Sequence, residues 1–142
     1  MSTLTSEIER FASMAVEVSL ESPRPALDYS EATLPVLEAM AGEASGHLGE
    51  MTHDQQHGLV RAFGCYLLEV GRRTYGGKYQ WHQDSSQPVL VCGEPTSHLA
   101  LFTWDKVAAR LAGDPADSLV LHYGGFAERA RSPKPGERIL IA

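Results

Sequence analysis

A chain of 142 residues, 43% hydrophobic and 21% charged, has the size and makeup of one folded domain and is too apolar for a disordered segment. Twelve Lys and Arg against 18 Asp and Glu leave a formal net charge of -6, which repels a phosphate backbone and argues against a nucleic-acid partner. Glu7, Glu9, Arg10 and Glu17 interrupt the first twenty residues; no signal peptide is expected there, and no apolar run approaches the ~20 residues that cross a bilayer.

In chain order, residues 5–18 place Ile8, Phe11, Met14 or Ala15, and Val18 at helical spacing, with Ser6 and Glu9 as a capping pair. Val16 and Val18 flank Glu17, which leaves a strand open at the end of this stretch. Ser22-Pro23-Arg24-Pro25 is a break, because proline cannot continue a helix. Ser30 is the next cap, ahead of a stripe of Leu34, Leu37, Met40 and Ala41. Pro35 implies either a helix start near Thr33 or an early kink. Residues 42–49, small and polar, form a connection.

The clearest element covers residues 53–75. Thr52 and Gln55 form a T-x-x-Q capping box, and Asp54 puts negative charge in the first turn. Leu59, Phe63, Tyr66, Leu67 and Val70 fall on one arc of about 100°, the core face. Gly76 and Gly77 end the helix and turn the chain. Residues 78–83 alternate Tyr79 and Trp81 with Gln80 and His82, and Val89 to Cys92 is apolar. A hairpin with a loop of four or five residues joins them. Residues 98–103 add a third strand. Asp105 caps a short helix through Ala112, with Val107, Ala108 and Leu111 inward and Gly113 as its stop. Asp114-Pro115 begins a further helix with Leu119, Tyr123, Phe126 and Ala127 inward, although Gly124-Gly125 keeps a strand at 119–123 as the competing reading. Ile139 to Ile141 docks as an edge strand. The sum is a single α+β domain: a long central helix packed on a small antiparallel β-meander, with additional N- and C-terminal helices.

Four groups of residues could carry chemistry. His53 and His57 stand four apart on one helix face and can share a metal, as in a zincin H-E-x-x-H with Asp54 in place of Glu. No third ligand stands out, and a solvated helix start is the plainer reading. A Cys92–His82–Asp84 arrangement is conceivable, but Cys92 lies in an apolar run where a thiol is inert. Cys65 and Cys92 lie outside any C-x-x-C pair and suit the reduced thiols of a cytoplasmic protein. Glu69, Arg72 and Arg73 form a charged group late in the long helix, read either as intrahelical pairing or as a partner contact. Gly64 and Gly71 cost the helix roughly 2 kcal/mol together against alanine, so another element or a partner approaches that side closely.

Leu27-Asp28-Tyr29-Ser30, Gly64-x-Tyr66-Leu67-x-Glu69-Val70-x-Arg72-Arg73, Gly76-Gly77 and Trp81 resemble the pattern of a group of small bacterial domains with no assigned activity. The resemblance spans residues 27–82. It implies no catalytic residue and no cofactor, and it marks Glu69 and Trp81 as the distinctive polar and aromatic positions. Small acidic proteins of that kind are associated with immunity or accessory roles. The leading expectation is therefore a non-enzymatic protein-binding module contacting its partner through Glu69, Arg72, Arg73 and Trp81. The alternatives are a hydrolytic metal site at His53 and His57, and a ligand cleft lined by Tyr66, Tyr79 and Trp81.

Overall fold

A computed structural model describes residues 3–21, 23–114 and 116–142. The order of regular elements is α1 (Leu4–Leu20), α2 (Leu34–Gly46), α3 (His53–Tyr75), β1 (Lys78–His82), β2 (Gln87–Cys92), β3 (His98–Leu101), α4 (Trp104–Leu111), α5 (Leu119–Arg131) and β4 (Arg138–Ile141). The expected α+β class and the long helix against a small sheet are both present.

Helix α3 has the expected ends. The Thr52 hydroxyl accepts from the Gln55 N–H, the Gln55 side chain accepts from the Thr52 N–H, and Gly76 closes the helix at a φ of 81°. Its 23 residues span about 35 Å. The expected core arc is too narrow, however. Every residue from Ala62 to Gly71 is buried, because α1, α2, α4, α5 and β2 all pack on this helix. A helix enclosed on all sides needs no single apolar stripe. Leu59, outside that enclosure, is only half-buried.

Strands β1, β2 and β3 form the antiparallel meander, and β4 joins β3 in parallel, at the edge of a four-stranded sheet ordered β1-β2-β3-β4. The chain reaches β4 only after crossing over through α4 and α5, as a parallel pairing requires. Leu90, Cys92, Leu99 and Leu101 belong to the main core, while Val89, Val91, Ala100 and Phe102 form a second cluster from the alternate positions.

Several local expectations are corrected. The first capping box is Thr3 with Ser6, one turn earlier than Ser6 with Glu9, and α1 remains helical through Val16 and Val18. Glu31–Thr33 is a 3₁₀ turn, so α2 starts at Leu34 with Pro35 in its first turn rather than kinking. Residues 42–46 continue α2, since Gly42, Ala44 and Ser45 do not forbid a helix, and Leu48–Glu50 adds another 3₁₀ turn. Asp105 sits in the first turn of α4 rather than at its cap, and Ala108 is exposed. Thr103 occupies the cap position but donates its hydroxyl to the Gly64 carbonyl at 2.8 Å. The buried Gln87 does the capping instead, accepting from the Trp104 N–H at 3.3 Å and donating to Asp105 at 3.1 Å. Residues 119–123 are helical, and the α5 cap is Ser118, which accepts from the Leu121 N–H. Ser22 and Pro115, invoked for the first break and the α5 start, lie outside the described residues.

Candidate functional site

The residue with the least exposure for its charge is Glu69, 0% exposed in the middle of α3. Its Oε1 accepts from Arg72 Nη2 at 2.5 Å and Arg73 Nε at 2.9 Å. Its Oε2 accepts from Arg72 Nε at 3.1 Å and the Tyr79 hydroxyl at 2.6 Å. The intrahelical pairing expected of a solvated face is therefore present, but folded inward, because β1 brings Tyr79 over the helix. Four donors on two oxygens leave the carboxylate no free direction from which to take a substrate proton. Burial pushes its pKa up, yet the hydrogen bonds from Arg72, Tyr79 and Arg73 outweigh burial and hold it below the usual carboxylate value. Hydrogen bonding to Glu69 in turn raises the Arg72 pKa, and burial followed by the Glu69 contact raises that of Tyr79.

Both arginines continue outward from this anchor. Arg72 reaches Glu9 of α1 at 3.2 Å and lies over the Tyr79 ring. Arg73, 47% exposed, stacks its guanidinium 3.7 Å from the centroid of Tyr29. Tyr29 has a φ of 69°, a left-handed conformation rare for an aromatic residue. It is held there from below. Its N–H donates to the Tyr66 hydroxyl at 2.9 Å, and the two rings stack with centroids 5.2 Å apart. Thr33 donates its own hydroxyl proton to the Ser30 carbonyl. The 2.7 Å contact between Tyr66 and Thr33 therefore runs from the Tyr66 O–H to the Thr33 oxygen. The Asp28 carboxylate completes the turn by accepting from the Ser30 N–H and hydroxyl.

Trp81 follows Tyr79 on the same face of β1, about 7 Å along the strand, and is 48% exposed. Its ring meets Trp104 edge to face at 6.3 Å, and Trp104 meets His57 in the same way at 5.9 Å. Trp104 packs closely on α3 because Gly64 has no side chain: a Cβ there would sit 2.5 Å from Trp104 Cδ1. Gly71 is likewise pressed by Phe126 and Leu90. The close approach that the two glycines imply is thus internal packing.

Of the expected site residues, Glu69, Arg72 and Arg73 join Tyr29 and Tyr79 in one set of contacts, and Trp81 and His57 meet Trp104 in a second. His53 lies apart, exposed in the first turn of α3. Among the described residues no three His, Cys, Asp or Glu side chains cluster as metal ligands would. His82 hydrogen-bonds Ser85 at 2.6 Å and pairs with Gln87 at the far end of β2 from Cys92, so those two do not meet. Burial pushes the Cys92 thiol up to about 11 and Cys65 up to about 12. Tyr66 is sealed in the core and cannot line a cleft with Tyr79 and Trp81. Among the described residues no helix is long and apolar enough to cross a membrane.

Sequence reasoning missed the roles of Tyr29, Trp104 and Glu9. The "LDYS" segment contained a signal in its Asp-x-Ser turn, but nothing in one sequence shows that a tyrosine adopts positive φ. No family model, curated protein or solved structure matches this chain.

Proposed function

We propose that this protein is a non-enzymatic binding module that docks a protein partner on the face carrying Arg72, Arg73 and Trp81. The observation that carries the reading is the saturation of Glu69. A carboxylate with all its acceptor directions occupied acts as an anchor, and what it anchors is a pair of arginines whose outer edges meet solvent. Arginine and tryptophan held rigidly at a surface are the residue types that dominate protein–protein binding energy. Here their rotamers are set before binding, so less side-chain entropy is lost on association. An immunity or accessory role, with this chain masking the working surface of its partner, is one form such a module takes.

The test is capture from a lysate of the source organism, with the native chain compared against Arg73→Gln and Trp81→Ala. The expected result is a stoichiometric partner retained by the native chain and lost with either substitution. Recovery of no stoichiometric partner, or of one indifferent to both substitutions, would remove the proposal.

A further inference from the structure

Away from that face, a cleft of about 200 Å³ separates the end of α5 from β3 and β4. That is below the ~300–1,000 Å³ of most drug-sized ligand sites and limits the occupant to a smaller molecule. Tyr75, Cys92, Leu99, Ala130 and Ile139 give it an apolar floor. Arg129 and Lys134 stand at its rim. Among the described residues neither makes an ion pair, and Arg129 reaches only the Gly125 carbonyl at 3.4 Å. Glu137 shares the rim, so two cations face one carboxylate in a chain of net charge -6. Arg129 and Arg131 in the last turn of α5 also offset the negative end of that helix. His98 lines the same cleft. Its Nδ1 is buried without a hydrogen-bond partner, and the Glu94 carboxylate stops 3.6 Å away, too far to supply one.

We infer that this cleft binds a small molecule with an apolar body and a carboxylate head. The body replaces water over Tyr75, Leu99 and Ile139. The head pairs with Arg129 and Lys134 through charge-assisted hydrogen bonds, the stronger class of such bonds.

The experiment is a ¹H–¹⁵N NMR titration of the full chain with 3-phenylpropionate and, separately, with its uncharged amide. The carboxylate is expected to give saturable shifts at Gly93, Ser97, His98 and Ala130. The amide should bind at least about tenfold more weakly, the worth of one charge-assisted hydrogen bond. The double variant Arg129→Gln, Lys134→Gln should lose the same factor for the carboxylate and nothing for the amide; both positions are exposed, so its fold is retained. Shifts absent at 20 mM carboxylate, centred elsewhere, or equal for acid and amide would overturn the inference. Trp81→Ala should leave this titration unchanged, which separates its outcome from that of the partner-capture test.

Discussion

The Arg73 guanidinium rests 3.7 Å from the centre of the Tyr29 ring, and that ring belongs to a residue held at a φ of 69°. The left-handed backbone costs a tyrosine roughly 1 kcal/mol or more. The stack on Tyr66, the hydrogen bond to its hydroxyl and the cation above offset that cost. Tyr29→Ala discards the two ring contacts but keeps the backbone hydrogen bond and the strain. Tyr29→Gly discards the ring contacts and the strain. Both variants should be less stable than the native chain in urea, with the glycine variant ahead of the alanine variant by about 1 kcal/mol. An alanine variant as stable as the glycine one would show that residue 29 is not left-handed.

Replacing Glu69 with Gln keeps the shape but turns one acceptor into a donor facing Arg72 or Arg73. Breaking a buried charge pair costs about 3–5 kcal/mol, enough to halve the stability of an ordinary domain. Tyr79→Phe removes one donor to that carboxylate and should cost about 1.5–3 kcal/mol. Arg73→Gln, at a half-exposed position, should cost only about 1 kcal/mol. Chemical denaturation of the three variants gives the order directly, and an Arg73 variant as damaged as the Glu69 one would contradict it.

Glu38, half-buried, is a second anchor. It accepts from Arg110 of α4 at 3.0 Å and from the Ser118 hydroxyl at the α5 cap at 2.7 Å, tying α2 to both helices. Burial raises its pKa, but the Ser118, Val120 and Arg110 hydrogen bonds pull it below the usual value, as for Glu69. A carboxylate depressed by folding stabilises the fold above its unfolded pKa, near 4.3 for Glu. That contribution is lost as pH falls through the folded value. Unfolding free energy should therefore drop from about pH 5 downward, and Glu38→Gln should show a shallower drop than the native chain. Parallel curves for the two would mean that Glu38 titrates alike folded and unfolded.

The thiols should be silent. With Cys92 near 11 and Cys65 near 12, at pH 8 about one Cys92 in a thousand is thiolate. Ellman's reagent should titrate both rapidly only in denaturant, and any slow reaction of the folded chain should fall on Cys92, which lines the α5 cleft. Rapid stoichiometric reaction of folded protein at either position would contradict this burial.

Elements with strong local signals were legible in the sequence, and their surroundings were not. The bounds of α3 follow from Thr52, Gln55 and Gly76, each acting within one turn. The hairpin follows from alternation on either side of a polar turn. By contrast, the burial of Glu69 depends on Tyr79 and on α1, ten and sixty residues away, and a charged triplet on a helix has no local feature that says which way it faces. The parallel β4 is hidden for the same reason. Its apolar run announces a strand, but the partner strand and direction are set by the α4–α5 crossover. Tyr29 was visible only as a member of the Leu27-Asp28-Tyr29-Ser30 segment.

Four of the helix glycines separate these two kinds of information. Gly64, Gly71, Gly124 and Gly125 all lie within helices, where alanine is worth roughly 1 kcal/mol more. Propensity alone would treat them identically. A Cβ at Gly124 or Gly125 meets nothing within 4 Å, whereas at Gly64 it lands 2.5 Å from the Trp104 ring and at Gly71 it lands 3.0 Å from Phe126. Trp104 is held between His57, Trp81 and α3, so its ring cannot yield cheaply, and overpacking costs typically 1–3 kcal/mol. Gly124→Ala and Gly125→Ala should each raise the melting temperature, by the few degrees that 0.5–1 kcal/mol gives in a domain of about this size. Gly64→Ala should lower it and quench or shift the Trp104 fluorescence, while Gly71→Ala should fall between. A Gly64 variant more stable than the native chain would mean that Trp104 does not lie on α3.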